Sequence, residues 1–340
     1  MRPSQATSHT GIWVMLTGAL LACLLIALLA GKYPLHPADL WQSLAAHLGG
    51  DPGDVPEQIE TVLWNLRLPR ILAALAVGAS LSAAGAAYQS MFRNPLVSPD
   101  ILGVSAGAGL GAVLAIFLGL SLPWVQLSAF CGGLLAVALV YLLASRVRRH
   151  DPVLVLVLAG VALSALLGAG ISLLKVLSDP YTQLASITFW LLGGLNGVSR
   201  EDLLGAAPLM LLGMLPLVLL RWRINLLSLS DEEAAALGLN IVRTRRLLIV
   251  AATLMTASAV SITGIIGWIG LVVPHMARLL VGAEFSRLLP ASLLLGGGFL
   301  LLTDTLARTV TTMELPLGIL TALVGAPFFL VLLARGGRSA

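Results

Sequence analysis

Leu247–Pro274 reads LLIVAATLMTASAVSITGIIGWIGLVVP, a charge-free run that continues through His275 towards Arg278. A bilayer core of ~30 Å needs ~20 apolar residues per helix, so this run is long for one crossing and short for two. Its second half carries Gly264, Gly267, Gly270 and Pro274, residues that interrupt helices. The pattern predicts a break there, with the chain returning through Val272–Leu280. The other apolar runs are Gly11–Ala30, Ile71–Met91, Ile101–Leu120, Val125–Ser145, Pro152–Leu174, Leu203–Leu220, Leu288–Thr303 and Leu315–Ala334. Taken unbroken, the Leu247 run makes nine spans; broken, it makes ten. Ile187–Leu195 is too short to cross and predicts a half-helix near one face.

Charge decides between nine and ten. With the N-terminus inside and ten crossings, the inside cations are Arg2, Arg93, Arg146, Arg148, Arg149, Arg221, Arg223, Arg243, Arg245, Arg246, Arg278, Arg287, Arg335 and Arg338. Outside lie Lys32, Arg67, Arg70, Lys175, Arg200 and Arg308, a bias of 14 against 6. With nine crossings it falls to 11 against 9. Cytoplasmic loops concentrate Lys and Arg, so ten is predicted, with both termini cytoplasmic.

Composition agrees with a membrane solvent. Of 340 residues, 58% are hydrophobic and 11% charged, with mean hydropathy +0.97. Soluble domains carry roughly 25% charged residues, so a soluble enzyme, a nucleic-acid module and a disordered chain are excluded. The net charge of +4 is loop charge that orients the spans, and the expected surroundings are membrane lipid, not nucleic acid. The first run, Gly11–Ala30, is longer than a signal-peptide core and lacks an evident cleavage site; it reads as a retained span. Cys23 and Cys131 both sit in apolar runs and read as small hydrophobes. Gly103, Gly107 and Gly111 recur every four residues, a spacing that lets helices approach closely.

Chemistry is conspicuous by what the sequence lacks. It has no G-x-x-x-x-G-K-[ST] loop, no H-E-x-x-H, no C-x-x-C and no G-x-S-x-G, and its five histidines are scattered. No catalytic residue, metal site or cofactor is therefore expected. Gradient-driven carriers place ionisable groups at bilayer depth. Here Asp304 and Glu314 fall near the ends of spans, where solvation is expected. Solute movement powered by a partner is the favoured class; a gradient-driven secondary transporter is the alternative.

The loop Arg221–Arg246 points to that partner. Ser230 with Glu233 three residues later forms a capping box. Asp231 and Glu232 add negative charge to the first turn, which the helix dipole favours. Gly238 can close the helix in the left-handed region. A helix of about two turns is thus written between two spans, and so short a helix needs packing to persist in water.

Six strings in order resemble the FecCD family of ABC-importer permeases: Arg67-Leu-Pro-Arg70, Gln89-Ser-Met-Phe-Arg-Asn-Pro-Leu96, Leu102-Gly-Val-Ser-Ala-Gly-Ala108, Ser230–Gly238, Gly267-Trp-Ile-Gly-Leu-Val-Val-Pro-His275, and Glu314-Leu-Pro-Leu-Gly-Ile319 with Gly325-Ala-Pro-Phe328. The resemblance implies an all-α polytopic membrane protein with ten transmembrane helices, the type II ABC importer permease fold. Residues 1–340 form one permease domain, with the coupling region at about 226–242. The expected partners are a second permease subunit (a homodimer), two ATPase subunits on the inner face and a periplasmic substrate-binding protein on the outer face. ATP hydrolysis then belongs to a separate subunit, and the chain itself is not an enzyme.

Residue by residue, the resemblance assigns Arg67, Arg70 and Arg308 to binding-protein docking. It assigns Asn94, Pro95 and Leu96 to a cytoplasmic gate, and Ser230, Asp231, Glu232, Glu233, Leu237 and Gly238 to ATPase coupling. The implied cargo is an iron chelate such as a ferric siderophore, with haem, cobalamin or molybdate as alternatives. The implied location is a bacterial inner membrane.

Overall fold

The computed structural model describes residues 8–47, 55–147 and 152–336. Arg2, Arg148, Arg149 and Arg338, used in the charge count, lie outside the described residues. Among the described residues every regular element is a helix. The chain runs α1 (Ser8–Leu29), α2 (Pro37–His47), α3 (Glu57–Glu60), a π-helical stretch (Thr61–Arg67) and α4 (Leu68–Met91). A 3₁₀ turn (Pro99–Leu102) leads into α5 (Val104–Phe117), α6 (Leu122–Arg146), α7 (Pro152–Leu177), α8 (Gln183–Leu192) and α9 (Arg200–Leu219). Then come α10 (Arg221–Leu226), α11 (Asp231–Ala236), α12 (Ile241–Thr263), α13 (Ile269–Val281), α14 (Phe285–Thr309) and α15 (Leu317–Gly336).

Seven of these are long and apolar enough to cross a membrane: α1, the continuous Glu57–Met91 rod, α6, α7, α9, α12 and α14. The shorter apolar helices α5, α13 and α15 complete the ten-helix fold. The predicted half-helix is α8.

The break in the Leu247 run falls where its glycines placed it. Helix α12 ends at Thr263, Gly264 turns with φ +69°, and α13 begins at Ile269 after Trp268 at φ +72°. Open backbone at membrane depth survives only when protein surrounds it, and Gly264 and Ile266 are buried. The break also has backbone partners. Gly194 N–H donates to Thr263 O (2.8 Å), and Leu317 N–H donates to Gly193 O (2.9 Å). Three irregular segments, before α9, after α12 and before α15, are thereby sewn together.

Helix α4 is the axis of the bundle, packed by α12, α13 and α14, and nearly all its small residues are buried. Gly78 lies against the backbone of Gly296 in α14, and Gly85 against that of Gly270 in α13; a Cβ at either would collide with a carbonyl. The Gly107 and Gly111 stripe does the same against Gly132 and Ser128 of α6. Gly103 departs from that stripe: it caps α5 at φ +81° and faces Ser164 and the Gly160 carbonyl of α7.

The second span begins well before Ile71, its expected start. The rod is helical from Glu57, so Arg67 and Arg70 sit inside a helix and not at its mouth. Hydropathy ended the span at those charges because it treats every arginine as wet. Here both find partners within the protein, Arg70 in carboxylates and Arg67 in backbone carbonyls, as described next.

Candidate functional site

Two groups of candidate residues lie at opposite ends of the bundle. At the first, α1, the rod and α14 converge. Arg70 donates from Nε to both oxygens of Asp304 (2.9 and 3.1 Å), places Nη2 2.8 Å from Oδ1, and donates from Nη1 to Glu314 Oε2 (3.0 Å). Arg308, one turn along α14 from Asp304, holds Nε 3.5 Å from its Oδ2. The side chain of Asp304 is wholly buried. The expectation that it would be solvated at a span end therefore fails: two guanidinium groups take the place of water. A buried carboxylate is tolerated on that condition.

Arg67 and Arg308 have a further task. Arg67 donates from Nη1 to the carbonyls of Leu28 and Leu29 and from Nη2 to that of Tyr33, and Arg308 donates from Nη2 to that of Ala27 (2.6 Å). These are the last carbonyls of α1 and the turn after it, which the helix itself leaves without donors. Cations at a helix C-terminus also meet the negative end of its dipole. The three arginines expected at a docking surface are thus gathered at one end of the bundle, but their donors are directed at the chain's own oxygens. Arg67 is 5% exposed and Arg308 6%. A cavity of about 310 Å³ opens beside them, lined by Tyr33, Asn65, Arg70, Asn196 and Glu314 among others.

At the opposite end, α4 finishes in a tight turn. Arg93 takes φ +52°, uncommon for a residue with a Cβ. Asn94 Oδ1 accepts from Leu96 N–H (2.9 Å), the side-chain-closed turn that asparagine favours. Pro95 follows directly, and Leu96 stays exposed.

The predicted loop helix is α11, and its capping box is complete. Ser230 Oγ accepts from Glu233 N–H (3.2 Å), and Glu233 Oε2 accepts from Ser230 N–H (3.0 Å). The hydrogen bonds from Ser230 hold the Glu233 carboxyl below the usual glutamate range. Asp231 and Glu232 occupy the first turn. Leu237 is exposed, and Gly238 ends the helix at φ +84°. A cavity of about 500 Å³ beside α11 is lined by Arg223, Leu226, Leu237, Gly238, Asn240 and Arg243.

Asp231 is the junction that sequence reasoning missed. Arg245 of α12 grips it bidentately (2.9 and 2.8 Å), and Arg93 donates to it (3.3 Å) and to Leu229 O (2.9 Å). The loop helix is therefore tied to the residue next to the Asn94 turn and to the start of α12. A second tie comes from α10, where Asn225 Oδ1 accepts from Phe285 N–H at the head of α14 (2.6 Å). The sequence counts Arg93 and Arg245 only as inside cations and places Asp231 in the first turn of the loop helix; nothing local in it pairs positions 138 apart.

Comparison with known proteins gives these ends a context. The FecCD transport family model matches residues 19–335. The chain is 42% identical over 338 residues to the molybdate import system permease protein MolB of Haemophilus influenzae, covering 98% of this chain and 99% of that one. It is 46% identical over 320 residues to a probable iron chelatin transport system permease protein of Helicobacter pylori, covering 93% and 96%. A solved structure described as an inward-facing metal-chelate type ABC transporter superposes with TM-score 0.86 at 40% identity, covering 96% of this chain and all of that one. With a family model spanning nearly its whole length and relatives this similar end to end, the chain belongs to the FecCD transport family.

Proposed function

We propose that this chain is the permease subunit of an ATP-driven importer of an iron chelate, working by alternating access as a homodimer in a bacterial inner membrane. The observation that carries the reading is the Arg93–Asp231–Arg245 junction. A chain without a nucleotide-binding loop must receive work through contact. Here a short, exposed, acidic-tipped helix is bonded directly to the turn that closes the end of α4. Displacement of α11 by an ATPase subunit reaches Asn94, Pro95 and Leu96 through Arg93. Ser230 and Glu233 keep the helix formed while it is pushed, and Leu237 and Gly238 edge the cavity that receives the partner. In this reading the α11 end faces the cytoplasm, along with both termini, and the arginine end faces the binding protein.

Docking at that outer end uses Arg70 in a particular way. Asp304 holds Arg70 from the buried side, while Glu314 is partly exposed and contacts one nitrogen only. A carboxylate of the binding protein reaches Arg70 by taking the place of Glu314; Arg67 and Arg308 supply the surrounding positive field and hold α1 in place. The cargo is assigned on kinship: relatives are named for iron chelatin and for molybdate, and haem or cobalamin are the other candidates.

The test is reconstitution of the chain with its ATPase subunits and binding protein in vesicles. Uptake should require ATP, and deleting Asp231–Ala236 should abolish it while ATP hydrolysis persists. Accumulation against a gradient by the chain alone, driven by a proton or sodium gradient, would overturn the proposal in favour of secondary transport.

A further inference from the structure

Helices α6 and α12 leave a groove of about 540 Å³ between them, walled by Leu134, Val137 and Leu142 on one side and Ile249, Val250 and Leu254 on the other. Leu142 and Val250 are more than half exposed, so the groove opens sideways from the bundle, towards whatever surrounds the spans. Its lining is almost wholly hydrocarbon until its end, where Tyr141 and Arg246 close it. Arg246 Nε donates to Tyr141 Oη (3.1 Å), and its guanidinium carbon stands 5.8 Å from the ring centroid.

That arrangement spends one of the five N–H donors of Arg246 and fixes the plane of the rest. Among the described residues no carboxylate pairs with it. Asp231 is committed to Arg93 and Arg245, Glu284 pairs with Arg287, and Glu233 closes its own capping box. Arg243 lies one turn earlier on α12, and Arg146 ends α6, both exposed. An oily slot is thus joined to a cationic head that no described carboxylate compensates, at the depth where a span emerges.

We propose that this groove binds an anionic phospholipid, with one acyl chain along the α6–α12 seam and the headgroup phosphate on Arg246. The two halves of the site match the two halves of that ligand. Basic pockets between membrane helices on the cytoplasmic side select acidic headgroups, and a guanidinium suits a phosphate because its donors form a planar fork. Simple snorkelling of Arg246 would explain its position, but not the slot below it. A protein neighbour is the poorer occupant, since it would need an acidic group at the head and a long unbranched apolar tail beneath.

The experiment is native mass spectrometry of the detergent-purified chain with phosphatidylglycerol and phosphatidylcholine of identical acyl chains. The wild type should retain phosphatidylglycerol about fivefold more than phosphatidylcholine, the ratio one arginine near a charged headgroup supports. Arg246→Gln should bring that ratio close to one. Val250→Trp, which fills the slot and leaves the cation, should lower retention of both lipids. Equal retention of the two lipids by the wild type, or an unchanged ratio in Arg246→Gln, overturns the proposal. So does efficient disulfide formation between copies carrying Val250→Cys in native membranes, because a second chain would then occupy the seam. None of these readings depends on what the chain transports.

Discussion

Arg70 and Asp304, 234 positions apart, form a three-contact ion pair in which the carboxylate is wholly buried and the arginine side chain is 15% exposed. The pair joins α4, the axis of the bundle, to α14. Asp304→Asn leaves Arg70 and Arg308 facing each other without their shared anion, and breaking a buried pair from one side costs about 3–5 kcal/mol. Glu314→Gln removes a partly exposed partner and should cost under about 1 kcal/mol. Thermal unfolding in detergent should therefore rank Asp304→Asn far below Glu314→Gln. The reverse ranking would refute the buried-latch account.

Arg67 should matter to α1 more than to the rod that carries it. Arg67→Met keeps much of the side-chain volume but removes the arginine's hydrogen bonds to the Leu28, Leu29 and Tyr33 carbonyls, leaving Leu29 only its bond from Leu35 N–H. Hydrogen exchange should rise across Ala30–Tyr33 and the last turn of α1, while α12 stays protected. Uniform exchange changes throughout the chain would argue against a local cap.

Close approach should make some glycines irreplaceable and leave others free. Gly85→Ala drives a methyl group into the Gly270 backbone, an overpacking that costs about 1–3 kcal/mol or more. Gly168 lies within α7 with open space around it, so Gly168→Ala should be neutral or stabilising by up to about 1 kcal/mol. Unfolding midpoints of the two variants check this directly, and equal effects would count against α4 as the tight axis.

The α11 cap should be sensitive to acid. The Glu233 carboxyl is held below its ordinary range by Ser230, so its contribution is present above the unfolded-state value and is lost as pH falls through the depressed one. Protection of the Ala234–Leu237 amides, measured relative to their intrinsic exchange at each pH, should therefore fall once the pH drops below the usual glutamate range. Ser230→Ala, which removes the N-cap acceptor of Glu233 N–H, should lower the same protection at neutral pH. An α11 equally protected at both pH values would show that packing, not the cap, maintains it.

If two copies meet at the Asn94 turn, the exposed Leu96 offers a direct probe. Leu96→Cys should form a disulfide between copies in membranes in at least one nucleotide state of the assembled transporter. Failure in every state would place the turn away from the two-fold axis.

The parts of this fold that were legible in the sequence are those encoded by neighbours. Gly264, Gly267, Gly270 and Pro274 fall within eleven residues, so the α12–α13 break could be placed before any contact was known. Ser230 and Glu233 carry their cap within one turn. The rest depends on distant partners. Arg67 and Arg70 made the second span look shorter than it is, because their compensation comes from α1 and α14. Asp304 looked wet for the same reason. The residues expected for docking, gating and coupling lie in two groups at opposite ends, yet Arg93, Asn225 and Arg245 were passed over as site residues, since their bonds run across the bundle.

The sewing of Gly193–Gly194 to Thr263 and Leu317 has a mechanical corollary. Because these interruptions share backbone hydrogen bonds, the end of α12 and the start of α15 cannot shift past the α8–α9 turn without breaking those hydrogen bonds. They form a fulcrum. Under the function proposed above, a shove on the foot at α11 tilts long levers about this knot, opening or narrowing the far side by rotation.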